Sequence, residues 1–398
     1  MNGTGKANRR LLDSSEFKLE EFEQLCLRNV DAHDYPLASS IEKRIPIYDL
    51  READPNDAAV CERLQNEWYN ILNSGPGVFV LRGMYDLPTY REVLEATNAA
   101  FDRIIERELR EFNSKGDHFD TSGKNQRIWN SFGKHAIQDP ESFVKYYSNP
   151  WLELVSESWL GPGYRISAQV NNVTPGGVAQ RSHADYHLGL QEQDQCSRFP
   201  RALQNASKHI TLQGAVAHSD MPLDSGPTRL LPFSQQYEPG FLTWRNEQFR
   251  EYFGRNYVSL ALKLGDGLFF NPGLFHAAGS NDTDPEGGFV RRANLLQIHC
   301  TFGRAMESID TIAMVDKCWE AMKKQYQTIG PNDIRMKALI HAVGDAYPFP
   351  TNLDLRPPHA DKMMPENEQE VLTRALEGGY SREQVLEALE QIRKDSIA

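Results

Sequence analysis

The stretch YRISAQVNNVTPGGVAQRSHADYHLGL, residues 164–190, runs from a β-prone segment through the turn Pro175-Gly176-Gly177 into His183, Asp185 and His187. A short β-prone run closed by Pro/Gly punctuation reads as a strand and its turn. The same pacing recurs downstream. KHITLQGAVAHS (208–219) ends in LDSGP, VSLALKL (258–264) ends in GDG, LFFNPGLFHAAGS (268–280) ends in a Gly/Asp-rich loop, and RRANLLQIHCTF (291–302) follows. Short strands and turns at this spacing predict an all-β sandwich or barrel between Tyr164 and Phe302.

Helices are expected on both sides of that region. Residues 56–74 carry Val60, Leu64, Trp68 and Leu72 at i, i+4 spacing, and Gly75-Pro76-Gly77 stops the pattern. VFVLRG (78–83) reads as a strand, 88–112 as a second long helix, 113–140 as loop, and 141–158 as a short helix. The chain turns helical again at about 305–345 and at 367–394, the last a helical hairpin around Gly378-Gly379. The expected organisation is an N-terminal arm over 1–40, a β core with its leading helices over 41–305, and a helical extension over 306–398.

The bulk numbers exclude several classes. At 398 residues the chain can bury a large core. A net charge of −12 argues against a nucleic-acid binder, which needs a basic face. No run of 18 apolar residues is present, so no membrane span is expected. The N-terminal residues carry charge without an apolar stretch behind it, unlike a secretory signal. The five cysteines are scattered, with no C-x-x-C pair, which fits a reducing, cytoplasmic setting better than a disulfide framework or a thiolate zinc site.

His-x-Asp occurs four times, at His118-Asp120, His183-Asp185, His218-Asp220 and His359-Asp361, so the frame alone decides nothing. Two of the four lie in the predicted β region. His183-Asp185 is expected to open a strand, where residues i and i+2 face the same way. An imidazole and a carboxylate side by side, with one distant histidine, make the 2-His-1-carboxylate facial triad of non-haem Fe(II). His276 supplies a candidate third ligand on a later strand, and the small residues after it allow close approach. A dicarboxylate co-substrate would need a fixed cation. Arg291 and Arg292 open the next strand, and alternation points only one of them inward.

Four stretches then resemble, in order, the phytanoyl-CoA dioxygenase family of Fe(II)- and 2-oxoglutarate-dependent oxygenases. They are PGGVAQRSHAD (175–185), LDSGPTRLLPFSQQ (223–236), LKLGDGLFFNPGLFHAAGSN (262–281) and RRANLLQIH (291–299). GVFVLRG (77–83) resembles the family's N-terminal strand. The resemblance implies a double-stranded β-helix, the jelly-roll or cupin-like barrel, with flanking helices. It implies His183, Asp185 and His276 as iron ligands and Arg291 as the clamp on the far carboxylate of 2-oxoglutarate. Arg292 is the alternative, because Arg292-Ala-Asn also matches the family pattern. Gln180 and, more weakly, Thr228 match positions that contact the co-substrate. His218 is demoted, since its strand matches one without ligands. His187 reads as a structural or solvent histidine, with a hydrogen-bonding or substrate contact as its alternative.

Two departures stand out. Pro232-Phe233-Ser234-Gln235 replaces the usual Pro-Gly-Ser-His, and the loop from Asn281 to Val290 is slightly long. Asp185 is retained where halogenases of the superfamily carry a small residue, which favours hydroxylation or a related oxidation. The expected activity is oxidation of a small organic molecule by O2, with 2-oxoglutarate converted to succinate and CO2. The alternatives are a cupin-type metalloenzyme without 2-oxoglutarate and a non-catalytic barrel. The aromatics Trp129, Phe132, Tyr146 and Tyr147 read as core rather than pocket.

Overall fold

The structure is a computed structural model, and it describes residues 9–112 and 123–397. The frame His118-Asp120 lies outside the described residues. Ten strands are present among them: β1 (Ser40–Glu42), β2 (Ile45–Asp49), β3 (Val78–Arg82), β4 (Asn125–Ile128), β5 (Arg165–Val173), β6 (Thr211–Ala217), β7 (Arg229–Leu230), β8 (Gly267–Phe270), β9 (His276–Ala277) and β10 (Arg291–His299). Eight form one mixed sheet in the order β1-β2-β3-β8-β6-β10-β5-β4, and β7 pairs with β9 opposite. Isolated bridges extend that smaller layer, pairing His183 with His276, Leu230 with Val258, and Met221 with Leu262. The fold is the jelly-roll core with flanking helices.

β10 lies at the centre, with β6 and β5 antiparallel on either side of it. Its alternation separates two environments. Leu296 and Ile298 face outward into the large core cluster, together with Leu212, Val216 and Phe269. Ala293, with Ala215, Ala217, Leu268 and Phe270, faces the space between the two layers. Strands buried on both faces explain why β5 and β6 read as almost continuous β-prone runs.

The helices cover the outer face. Ala58–Asn73 and Leu87–Phe112 fall where the apolar periodicity puts them. The single helix expected over 141–158 is two helices, Pro140–Tyr147 and Pro150–Leu160. Proline has no N–H to continue the first helix, and Asn149 caps the second by accepting from Trp151 and Leu152 N–H. The stretch expected as loop contains β4 and the helix Ser131–Gln138. VSLALKL, expected as a strand, touches the sheet only through the two bridges at Val258 and Leu262. Phe132, Tyr146 and Tyr147 are buried in the large core cluster.

Both ends of the described chain are packed. The helix Leu19–Cys26 sinks Phe22 among Tyr237, Phe249, Tyr252 and Phe275. The C-terminal helices, Thr311–Ile329, Ile334–Val343, Glu368–Glu377 and Arg382–Asp395, place Trp319, Leu339, Leu372 and Leu389 in the same core cluster as Trp68 and Phe79. Among the described residues, no helix is long and apolar enough to cross a membrane.

Trp319 is fully buried, and its Nε1–H donates to the Tyr380 carbonyl. Trp319→Ala is expected to cost about 3–5 kcal/mol in urea unfolding; a loss below about 1 kcal/mol would mean that these helices do not share the core. His135 and His218 are held neutral by burial, with pKa values pushed down to about 3. Unfolded, they take up protons near pH 6.5, so the stability their neutral form contributes is present above that value and is lost as pH falls toward 3. The urea midpoint should therefore drop between pH 7 and 5, and less steeply in His218→Gln. An identical slope in the variant would contradict this.

Candidate metal centre

His183 does not lie on a regular strand, contrary to the expectation. The backbone leaves the turn at 175–177 irregularly, and His183 alone pairs with His276. The pair is reciprocal: His183 N–H donates to the His276 carbonyl and His276 N–H to the His183 carbonyl, both at 2.9 Å. Directly opposed residues of an antiparallel pair present their side chains on the same face. The two imidazole centroids are consequently 4.4 Å apart. Beyond Asp185 the chain folds back at once, with Gly189 N–H donating to the Tyr186 carbonyl. A Cβ at Gly189 would lie 1.8 Å from the Ala184 carbonyl oxygen, so this tight loop requires glycine.

Asp185 completes the cluster. Its Oδ2 is 3.9 Å from His183 Nε2 and 3.7 Å from His276 Nε2. Each histidine places Nδ1 2.9 Å from the carbonyl two residues before it, Arg181 for His183 and Leu274 for His276. Donation from Nδ1 to those carbonyls leaves both Nε2 lone pairs aimed at the shared space, the arrangement by which proteins orient metal-binding imidazoles. Gln213, on β6, donates its Nε2–H to Asp185 Oδ2 at 2.8 Å. Sequence reasoning missed Gln213; its signal was one amide among the apolar residues of TLQGAVA.

The electrostatics match a set of cation ligands. Burial is the largest influence on Asp185 and would raise its pKa, but His183, His276 and the Gln213 amide together outweigh it and hold the carboxyl well below the usual range. Burial, then the neighbouring His276, pushes His183 down, toward the neutral form that ligates. The three offered atoms lie within 4.8 Å of one another. The donor set is nitrogen and oxygen without thiolate, and three ligands leave positions open. This suits a divalent iron better than a closed structural zinc site.

The two arginines part company. Arg292 faces the outer helices, donating to Asp102 at 2.5 Å and to Asn172 at 3.0 Å. Arg291 faces the interior and is 2 % exposed, with one N–H on Asn171 at 3.2 Å and its Nε without a partner among the described residues. Burial, then the charge of Arg127, lowers its pKa to about 10, so it stays cationic at neutral pH. From the Ala293–Asn171 pair to the Gln297–Gln213 level is four residues along β10, about 13 Å of strand. Ala215, Ala217, Ala293 and Leu295 face that interval.

The other expected residues fall elsewhere. Gln180 pairs with the backbone of Ala278, accepting its N–H at 3.4 Å. Thr228 is half-buried just ahead of β7. Among the described residues no hydrogen bond links either side chain to the cluster. His187 is half-buried against the Tyr186 ring. His218 hydrogen-bonds Tyr146 and Asn98 on the outer face of the sheet. His359 and Asp361 are exposed. A second acidic-histidine group, Glu153, Glu157 and His341, already holds the Lys337 ammonium 2.8 Å from Glu153, which makes it an ion-pair network.

The curated protein "Dioxygenase cdmA" of Talaromyces verruculosus is 25% identical over 267 residues, 64% of this chain and 80% of that protein. Among solved structures, the non-heme alpha ketoglutarate dependent carbocyclase SnoK from nogalamycin biosynthesis aligns at 18% identity over 61% of this chain and 86% of its own, with a TM-score of 0.43. The related epimerase SnoN aligns at 18% identity over 62% and 85%, with a TM-score of 0.40. The sequence profile of the phytanoyl-CoA dioxygenase (PhyH) family matches residues 76–289, just over half of the chain. The chain therefore belongs to the phytanoyl-CoA dioxygenase family of Fe(II)- and 2-oxoglutarate-dependent oxygenases.

Proposed function

We propose that His183, Asp185 and His276 hold the iron, that Arg291 takes the far carboxylate of 2-oxoglutarate, and that the protein oxidises a small organic molecule. The observation that carries this is the convergence of both Nε2 atoms on Asp185 Oδ2, on the interior face that Arg291 also shares. Bound iron and 2-oxoglutarate supply the activation of O2, with succinate and CO2 released.

The residues of the chain have separate tasks. The Arg181 and Leu274 carbonyls fix the imidazole tautomers. Gln213 holds Asp185 in one orientation by donating to Oδ2, the oxygen that faces both histidines. Arg291 offers a forked, permanently charged partner to a carboxylate, with Asn171 bracing the fork. Arg292, already neutralised by Asp102, is a structural cation. The five cysteines are buried and unpaired, in keeping with a reducing cytoplasmic setting.

The test is an anaerobic titration of the metal-free protein with Fe(II) and then 2-oxoglutarate. A weak visible charge-transfer band requiring both is expected. His183→Ala, Asp185→Ala and His276→Ala should each lose the band and at least about 100-fold of 2-oxoglutarate turnover, the scale on which metal-site losses act. A variant that keeps the wild-type band and turnover removes that residue from the ligand set. Arg291→Ala should raise the KM for 2-oxoglutarate by about 10- to 100-fold, since hydrogen bonds to charged groups contribute about 1.5–3 kcal/mol. Arg292→Ala should leave that KM within about 3-fold, as surface-type ion pairs do; the reverse ranking would exchange the two assignments.

A further inference from the structure

β6 and β10 carry an amide pair on the interior face at the level of the metal cluster. Gln213 and Gln297 are direct antiparallel partners, so their side chains stand side by side on that face. They are 3 % and 8 % exposed. The Gln213 amide cannot be reversed, because its Nε2–H donates to the Asp185 carboxylate, which only accepts. Its Oε1 therefore points away from Asp185, and it has no partner among the described residues. Gln297 Oε1 is also without a partner among them. His187, on the loop that follows Asp185, leaves its Nε2 unpartnered as well.

Two buried, neighbouring amide oxygens without a partner are costly, each by about 1–3 kcal/mol, and native proteins carry few such groups. A packed core would have leucine or methionine here at no such cost. Arg291 lies further along β10 toward its start, so the Gln213–Gln297 pair, at the level of the cluster, is separated along the strand from the proposed co-substrate end. We infer that Gln213 and Gln297 are a substrate clamp and that the substrate presents a hydrogen-bond donor, a hydroxyl or a protonated amine, beside the carbon that is oxidised. This rests on the metal assignment above and deepens it. A site built around acceptors rejects an analogue that lacks the donor far more strongly than an apolar pocket discriminates by size. An unadorned hydrocarbon or acyl chain would leave both oxygens unpaired.

Two measurements on the Fe(II)- and 2-oxoglutarate-loaded protein test this. The first is thermal unfolding of Gln297→Leu, with Gln297→Glu as a control for side-chain length. If the amide oxygen is unpaired and kept for ligand, the leucine variant should melt several degrees above wild type, retaining the charge-transfer band. A lower melting temperature in Gln297→Leu would show that the amide is structural and overturn the clamp. The second follows succinate release with matched alicyclic probes, each a free alcohol and its methyl ether. Stimulation by alcohols that falls at least about 100-fold in the ethers is expected. Equal stimulation by both, or by neither, would overturn the donor requirement. Absence of the charge-transfer band in wild type would instead sink the metal assignment, so the two failures are distinguishable.

Discussion

The reciprocal backbone pair between His183 and His276 is the contact on which the rest of the site depends. Two N–H···O bonds fix two residues that lie far apart in sequence, and antiparallel geometry then turns both imidazoles to one face. Everything else adjusts around that pair. The tight loop closed at Gly189 returns the chain after Asp185, so the carboxylate meets the rings from a third direction. The carbonyls of Arg181 and Leu274 lock the ring tautomers. The second histidine is supported from behind, because Phe275, its neighbour, is buried against Phe22 of the N-terminal helix.

The large sheet supplies the other half of the cavity. β10 separates its two faces by alternation alone: Arg291 and Gln297 look inward, and Arg292 and Leu296 look outward. That one-residue difference decides which guanidinium reaches the interior. The inward row runs Arg291, Ala293, Leu295 and Gln297, from cation through apolar residues to amide.

Much of this was legible in the sequence because it is periodic or local. The strands β3, β5, β6 and β10 and the helices Ala58–Asn73 and Leu87–Phe112 follow from apolar spacing and Gly/Pro stops. The order of the short motifs named the family. The alternation of Arg291 and Arg292 could be stated in advance, but not its phase, because the loop from Asn281 to Val290 hides the register. The strand expected at His183 failed for a related reason. A β-prone composition does not say how many residues actually pair, and here one pair suffices.

The sequence by itself determined the barrel class, the family and the short list of residues able to hold a metal, since these depend on residue type, spacing and order. Tertiary structure alone decided which members of that list meet. It joined His183 to His276, sent His218 to the outer face, and assigned the interior to Arg291. It also revealed Gln213 and Gln297, which no spacing singles out. An amide becomes informative only when its neighbours across the sheet leave it buried and unpaired, and that depends on a register that no local run of residues encodes.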